Sequence, residues 1–193
     1  GITASDKTYD GSVTATMNSS PAVYSGFVSG DDFAASYSGV FANANAGTGK
    51  TVTITSSYNG ADVSNYNITD QTSTTADISA KALTATASAS NKVYDGSSAA
   101  TVTLSLSGFI GSETVTSTNS STFNNKNAGT GKTVTVNSIT LADGTNGGLA
   151  SNYSISTGQT TIANITAKTL TATASTSNKV YDGLTTATTT LTF

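Results

Sequence analysis

The sequence has no cysteine, no histidine, no tryptophan and no arginine, and a single proline in 193 residues. Each absence closes a class of function. Without cysteine there is no disulfide framework and no thiolate metal or redox centre. Without histidine the commonest general base is missing, so a nucleophile would have only lysine or a carboxylate to activate it, and the 11 acidic residues show no paired constellation. No enzyme and no cofactor are therefore expected. The 8 lysines are spread evenly and form no basic patch, which argues against nucleic acid. No apolar run approaches the ~20 residues that cross a bilayer, so membrane insertion is not expected. Nothing at Gly1 resembles a signal peptide, and the chain reads as an internal window of something longer. With 10% charged residues and a net charge of −3 it is also not a disordered composition, because Thr and Val alternate in runs that favour strands.

What is present is a repeat. Lys7-Thr8-Tyr9-Asp10-Gly11 returns as Lys92-Val93-Tyr94-Asp95-Gly96 and as Lys179-Val180-Tyr181-Asp182-Gly183, with tyrosine spacings of 85 and 87 residues. That period is too long for a solenoid rung and suits a small domain. The expected units are residues 1–82, lacking the first part of their opening strand, residues 83–169, and residues 170–193, an incomplete third. A unit of this size buries only about two-thirds of the surface of its unfolded chain, so neighbours are expected to support one another.

Within each unit Leu83, Ala85 and Ala87, or Leu170, Ala172 and Ala174, alternate with Thr and Ser as half-buried strands do. Asp-Gly then predicts a turn. The loop Ser25-Gly26-Phe27-Val28-Ser29-Gly30-Asp31 is matched 82 residues later by Ser107-Gly108-Phe109-Ile110-Gly111-Ser112-Glu113. Phe41 and Phe123 close a strand, Asn-Ala-Gly-Thr-Gly-Lys-Thr follows, and Val52 and Ile54, or Val134 and Val136, open the next. The apolar phase slips to Ile139 and Leu141, predicting a bulge near Asn137. Five further residues of unit two are assigned to the loop at 143–148. Ser64-Asn65-Tyr66-Asn67-Ile68 and Ser151-Asn152-Tyr153-Ser154-Ile155 come next, with one helical turn near 61–65 the most helix expected. Ile78-Ser79-Ala80-Lys81 and Ile165-Thr166-Ala167-Lys168 run into Leu83 and Leu170 without Gly or Pro, which predicts stiff end-to-end junctions.

The expected fold is all-β: tandem small antiparallel β-sandwich-like modules in an extended array, with β-grasp-like modules as the alternative. The predicted core is Tyr9, Phe27, Phe41, Val52, Ile54, Tyr66, Ile68 and Ile78, with counterparts Tyr94, Phe109, Phe123, Val134, Val136, Tyr153, Ile155 and Ile165.

In order, Lys-Val-Tyr-Asp-Gly, the Gly-Asp or Gly-Ser-Glu loop, Phe with Asn-Ala-Gly-Thr-Gly-Lys-Thr-Val, Ser-Asn-Tyr and Ile-Thr-Ala-Lys together resemble the YDG-type repeat modules. These are related to MBG-type modules of large, filamentous-haemagglutinin-like bacterial adhesins. The resemblance spans the chain and implies a repetitive extracellular protein on the bacterial surface, with no catalytic residues to carry over. The role it implies is a spacer or stalk holding a distal binding element. Two alternatives are modules that themselves bind glycan or a host surface protein, and a fibre subunit whose incomplete repeat pairs with sheet edges of other copies. Neighbouring repeats of the same chain are the expected partners in every case.

The individual motifs favour structural roles. Ala-Gly-Thr-Gly-Lys-Thr lacks the first glycine of a phosphate-binding loop and leads into a strand, so a turn is expected. The tyrosines and aspartates of the three Tyr-Asp-Gly copies are expected to pack into their own unit and to cap the loop rather than form a glycan platform. Asp31 and Asp32 are the candidate Ca²⁺ ligands, although such an ion needs six to eight oxygens. Lysine beside asparagine in an all-β module also invites an isopeptide cross-link, which requires a buried acid next to the pair.

Overall fold

The structure, a computed structural model, describes residues 1–20, 25–26 and 28–193; Phe27 and residues 21–24 of the loop that differs between units lie outside the described residues. Apolar-polar alternation builds strands almost throughout. Unit one contains β1 (Thr3–Ala4), β2 (Lys7–Thr8), β3 (Thr14–Ala15), β4 (Met17–Asn18), β5 (Ala34–Phe41), β6 (Gly47–Asn59) and β7 (Ser73–Ser79). Unit two contains β8 (Lys81–Ala89), β9 (Lys92–Val93), β10 (Ala99–Ala100), β11 (Val102–Ser107), β12 (Val115–Phe123), β13 (Gly129–Asp143), β14 (Tyr153–Ile155) and β15 (Thr160–Thr166). A hairpin of β16 (Thr173–Thr176) and β17 (Thr189–Thr192) follows.

Each unit has one five-stranded sheet, ordered β2-β7-β6-β5-β3 in the first and β9-β15-β13-β12-β10 in the second. A smaller sheet, β11-β8-β14, lies beside it in unit two, and its counterpart in unit one is the short pair β1-β4. The chain is all-β as expected, and most pairs are antiparallel. The edge pairs β2·β7, β9·β15 and β8·β14 are parallel, an arrangement alternation alone does not specify. It arises because the opening hairpin of each unit changes sheets midway: β8 and β11 pair with each other, while their continuations β9 and β10 pass to opposite edges of the large sheet.

Buried alternate residues form the core. Val52, Ile54, Phe41 and Ile78 are buried, as are Val134, Val136, Phe123 and Ile165, in agreement with the pattern. Tyr66, Ile68, Phe109 and Ile155 are half-buried. Tyr94 departs from expectation at 37% exposed, against 4% for Tyr9. Tyr9 is a core residue, clustered with Phe41, Val52 and Ile78 of its own unit, and Tyr94 is not.

The register of β12 on β13 passes from Ser120 opposite Ser138 to Ser121 opposite Val136, leaving Asn137 as the extra residue of a bulge at the predicted phase slip. The additional residues of unit two divide between strand and turn: β13 has 15 residues where β6 has 13, and the rest lengthen the turn that follows. Val63–Asn65 and Ala150–Asn152 each form one 3-10 turn, the only helical residues among those described.

Candidate functional site

The repeated pentapeptide builds the same local structure three times. Asp10 Oδ1 accepts the Ser12 amide at 2.8 Å and the Lys7 ammonium at 2.7 Å. Asp95 does the same with Ser97 and Lys92 at 2.9 and 2.8 Å, and Asp182 with Leu184 and Lys179 at 2.9 and 2.7 Å. The bond from lysine is the first cause holding each of these carboxyls below the ordinary aspartate value. The turn reverses through glycines at φ +76, +82 and +72° (Gly11, Gly96, Gly183), a region a Cβ would oppose.

The lysine does more than pair with aspartate. Lys92, on edge strand β9, also donates to the Ala99 carbonyl on the opposite edge strand β10 at 3.0 Å, and to Ser97 O at 2.8 Å. Lys7 likewise reaches Ser12 O and Thr14 O at 2.7 and 3.2 Å. The two edges of each five-stranded sheet thus lie within one lysine of each other, and the sheet curls around that side chain. Each ammonium stands over a core ring, 5.6 Å from Phe41 and 5.7 Å from Phe123. Lysine and aspartate of the motif are parts of the fold, as the expected loop-capping role requires.

The tyrosine is different, because it also reaches beyond its unit. Tyr9 meets Tyr153 of unit two edge to face, with ring centroids 5.6 Å apart and planes at 82°, and Phe109 meets the same Tyr153 ring at 5.6 Å and 80°. Both tyrosine hydroxyls donate to one carboxylate, Tyr9 to Glu113 Oε1 at 2.7 Å and Tyr153 to Oε2 at 2.6 Å. The Ile110 amide donates to the Tyr153 oxygen at 3.1 Å and fixes that ring. Beside this clasp Asn152 is fully buried, accepting the Ala46 amide at 2.9 Å and donating to Asn45 Oδ1 at 3.1 Å. Leu83, Val115 and Tyr153 of unit two share one apolar cluster with Tyr9, Phe41, Val52 and Ile78 of unit one. A separate cluster around Phe123, Val134, Val136 and Ile165 belongs to unit two alone. Only Ala80 separates β7 from β8, so the covalent junction and the clasp act on the same joint.

The three motif tyrosines differ in burial. Tyr9 is 4% exposed beneath unit two, Tyr94 is 37% exposed and Tyr181 is 93% exposed. The Tyr9 ring packs into its own unit's cluster, as expected, and in addition meets the loop of the next unit.

The remaining candidates are placed as follows. Asp31 accepts the Tyr66 hydroxyl at 2.5 Å, Asp32 accepts the Ala61 amide at 3.0 Å, and the Asp32 amide donates to Asp62 Oδ2 at 2.9 Å. Among the described residues no three His, Cys, Asp or Glu side chains gather as a metal site. The Gly-Thr-Gly-Lys segment is a bulge at the start of β6 and β13, and its central glycine amide is already used, Gly49 on Asp77 at 2.6 Å and Gly131 on Asn164 at 2.7 Å. Lysine does meet asparagine, Lys50 on Asn43 at 2.6 Å and Lys132 on Asn125 at 2.5 Å. No carboxylate hydrogen-bonds either pair among the described residues, so the acid an isopeptide bond requires is not at hand.

Glu113, Asn152 and the Asn45-Ala46 turn are the joint residues that sequence reasoning missed. Their signal was the acid kept at one loop position, Asp31 in unit one and Glu113 in unit two, and the asparagine kept before Tyr66 and Tyr153.

The clasp makes the joint sensitive to alkali. Burial first, and then the bond to Glu113, push the Tyr9 hydroxyl up to about 12, and the same two causes raise Tyr153. A tyrosine harder to ionise when folded stabilises the fold fully below its unfolded value of 10.0 and loses that contribution as the pH rises through about 12. The joint is expected to hold to pH 10 and to open above it. A tyrosinate absorbance titration should show a late component that shrinks in Tyr9→Phe, and a single early step for all tyrosines would contradict the clasp.

No curated protein and no solved structure matches the chain significantly. The family model described as YDG domain matches residues 1–75 and again 79–162, and its two matches meet at the joint between the sheets. The chain belongs to the YDG domain family.

Proposed function

We infer that the chain is a structural spacer in a bacterial extracellular adhesin of the filamentous-haemagglutinin kind, where YDG units in series hold a distal binding element away from the cell. The observation that carries this reading is the joint. A single residue between β7 and β8, a tyrosine plug and a fully buried asparagine leave the two units no free hinge, and a stalk needs resistance to bending. In unit one the lysine and tyrosine of the repeated motif are taken up by the fold and the joint.

Small-angle scattering tests the mechanics. A compact chain of this length has a radius of gyration of about 16 Å, and the monomer is expected to exceed it clearly; a value at the compact limit removes the stalk. A binding screen tests the rival role, since a glycan or host protein bound saturably at submillimolar affinity, and lost on mutating one loop, would make the modules the adhesive element.

A further inference from the structure

The first arm of each unit's opening hairpin and its closing strand run side by side in the same direction. β2 pairs in parallel with β7 and β9 with β15, Ile78 lying opposite Lys7 and Ile165 opposite Lys92. Tension along a serial chain draws the opening arm back towards its N-terminus and the closing strand forward towards its C-terminus. In a parallel pair those two pulls slide one strand along the other, so every bond between them is loaded at once. An antiparallel pair drawn apart at its open end breaks one rung at a time.

β2 and β9 have only 2 residues each, and side chains lengthen the contact. Ahead of the ladder Asp6 Oδ1 accepts the Asp77 amide at 2.7 Å, and Asn91 Oδ1 accepts the Asn164 amide at 2.7 Å. Behind it the Tyr9 amide donates to Ser79 O and the Tyr94 amide to Thr166 O, both at 2.8 Å. The hydroxyls of Ser79 and Thr166 donate across the pair to the carbonyls of Lys7 and Lys92, each at 3.3 Å. The contact thus runs from the residue before the repeated motif to its tyrosine, 6–9 in one unit and 91–94 in the other. Sliding would also withdraw the lysine ammonium from the opposite edge of the sheet, from Thr14 O in unit one and Ala99 O in unit two. Asp6 and Asn91 are themselves exposed, so the core does not depend on them.

We propose that this contact is a shear clamp that carries tension through the array, with Asp6 and Asn91 as its side-chain rungs and Lys7 and Lys92 as its anchors. Parallel pairing is slightly less stable per residue than antiparallel, and each bond alone is weak. Loaded together they resist, because forced unfolding is governed by the unfolding rate and not by the folding equilibrium. The clamp rests on the reading of the chain as a spacer of units in series and adds to it: a stalk that stands against bending also holds when pulled. It gives the residue before the motif lysine a task, to accept one backbone amide, which aspartate performs in unit one and asparagine in unit two.

The test is to draw the whole chain out by its two ends at constant force in optical tweezers. The wild-type chain is expected to lengthen in abrupt steps. Asp6→Ala and Asn91→Ala each remove an exposed side chain and one rung, and each should speed the unfolding of its own unit about fivefold. Asp6→Asn and Asn91→Asp keep the acceptor oxygen and should match the wild-type rate. Asn137→Ala removes a bond to Thr122 Oγ1 at 3.1 Å between β12 and β13, and should leave the rate under force unchanged, because that pair is still intact when the clamp slips. The sequence has no cysteine, so handles on Thr116→Cys and Ala142→Cys, opposite each other near the open end of β12 and β13, pull that antiparallel pair apart instead. Unit two should then yield at a clearly lower force. Alanine variants that unfold at the wild-type rate, an Asn137→Ala chain that speeds up as they do, gradual lengthening of the wild type, or a force that does not depend on where the handles sit overturns the clamp. Scattering from the monomer judges the stalk separately, whichever way this falls.

Discussion

Replacing Glu113 with alanine is expected to uncouple the two units. Its carboxylate receives the hydroxyls of Tyr9 and Tyr153 at 2.7 and 2.6 Å, and bonds to a charged acceptor contribute about 1.5–3 kcal/mol each. The side chain is half-buried, so water replaces part of what is lost, and the expected cost is about 2–4 kcal/mol. In an array whose units interact mainly with their neighbours, the lost Tyr9 bond falls on the interface term, while the lost Tyr153 bond lowers the stability of unit two itself. Calorimetry should therefore show one cooperative transition in the wild-type chain and two in Glu113→Ala. Glu113→Gln, which keeps one acceptor oxygen, should lie between them. An unchanged single transition in Glu113→Ala would mean that apolar packing alone couples the units.

Replacing Phe123 with alanine should have the largest effect on folding, and should confine it to unit two. The ring is 3% exposed, packs with Val102, Val134, Val136, Ala163 and Ile165, and lies under the Lys92 ammonium at 5.7 Å. Truncating a buried phenylalanine costs about 3–5 kcal/mol, and losing a cation–π contact adds about 0.5–2 kcal/mol. That is a large share of the about 5–15 kcal/mol that stabilises a typical domain. Phe123 and Phe41 sit in different clusters, so hydrogen exchange should lose protection in β12, β13 and β15 while β5, β6 and β7 keep theirs. Equal loss in both units would show that the two clusters behave as one core.

Much of the fold was legible in the residues because its determinants are local. Alternation placed Val52, Ile54, Val134 and Val136 inward, and the phase slip after Val136 located the bulge at Asn137, since a strand has only two faces and an added residue must reverse them. The Asp-Gly turn and the lysine three residues before each aspartate act within a few residues of one another and repeat with the same bonds in all three copies. The passage of β9 and β10 to opposite edges of one sheet was not legible, because parallel pairing depends on strands more than 70 residues apart, as with Ile165 and Lys92.

The three motif tyrosines mark the boundary. Their sequences are nearly the same, and their exposures are 4, 37 and 93%. The sequence by itself determined that a tyrosine stands at the tip of each opening hairpin. Only the tertiary structure decided that the following unit completes the burial of Tyr9, since burial depends on the surface opposite as well as on the residue. The same reason hid Glu113 and Asn152, whose partners Tyr9 and Asn45 lie 104 and 107 residues away along the chain.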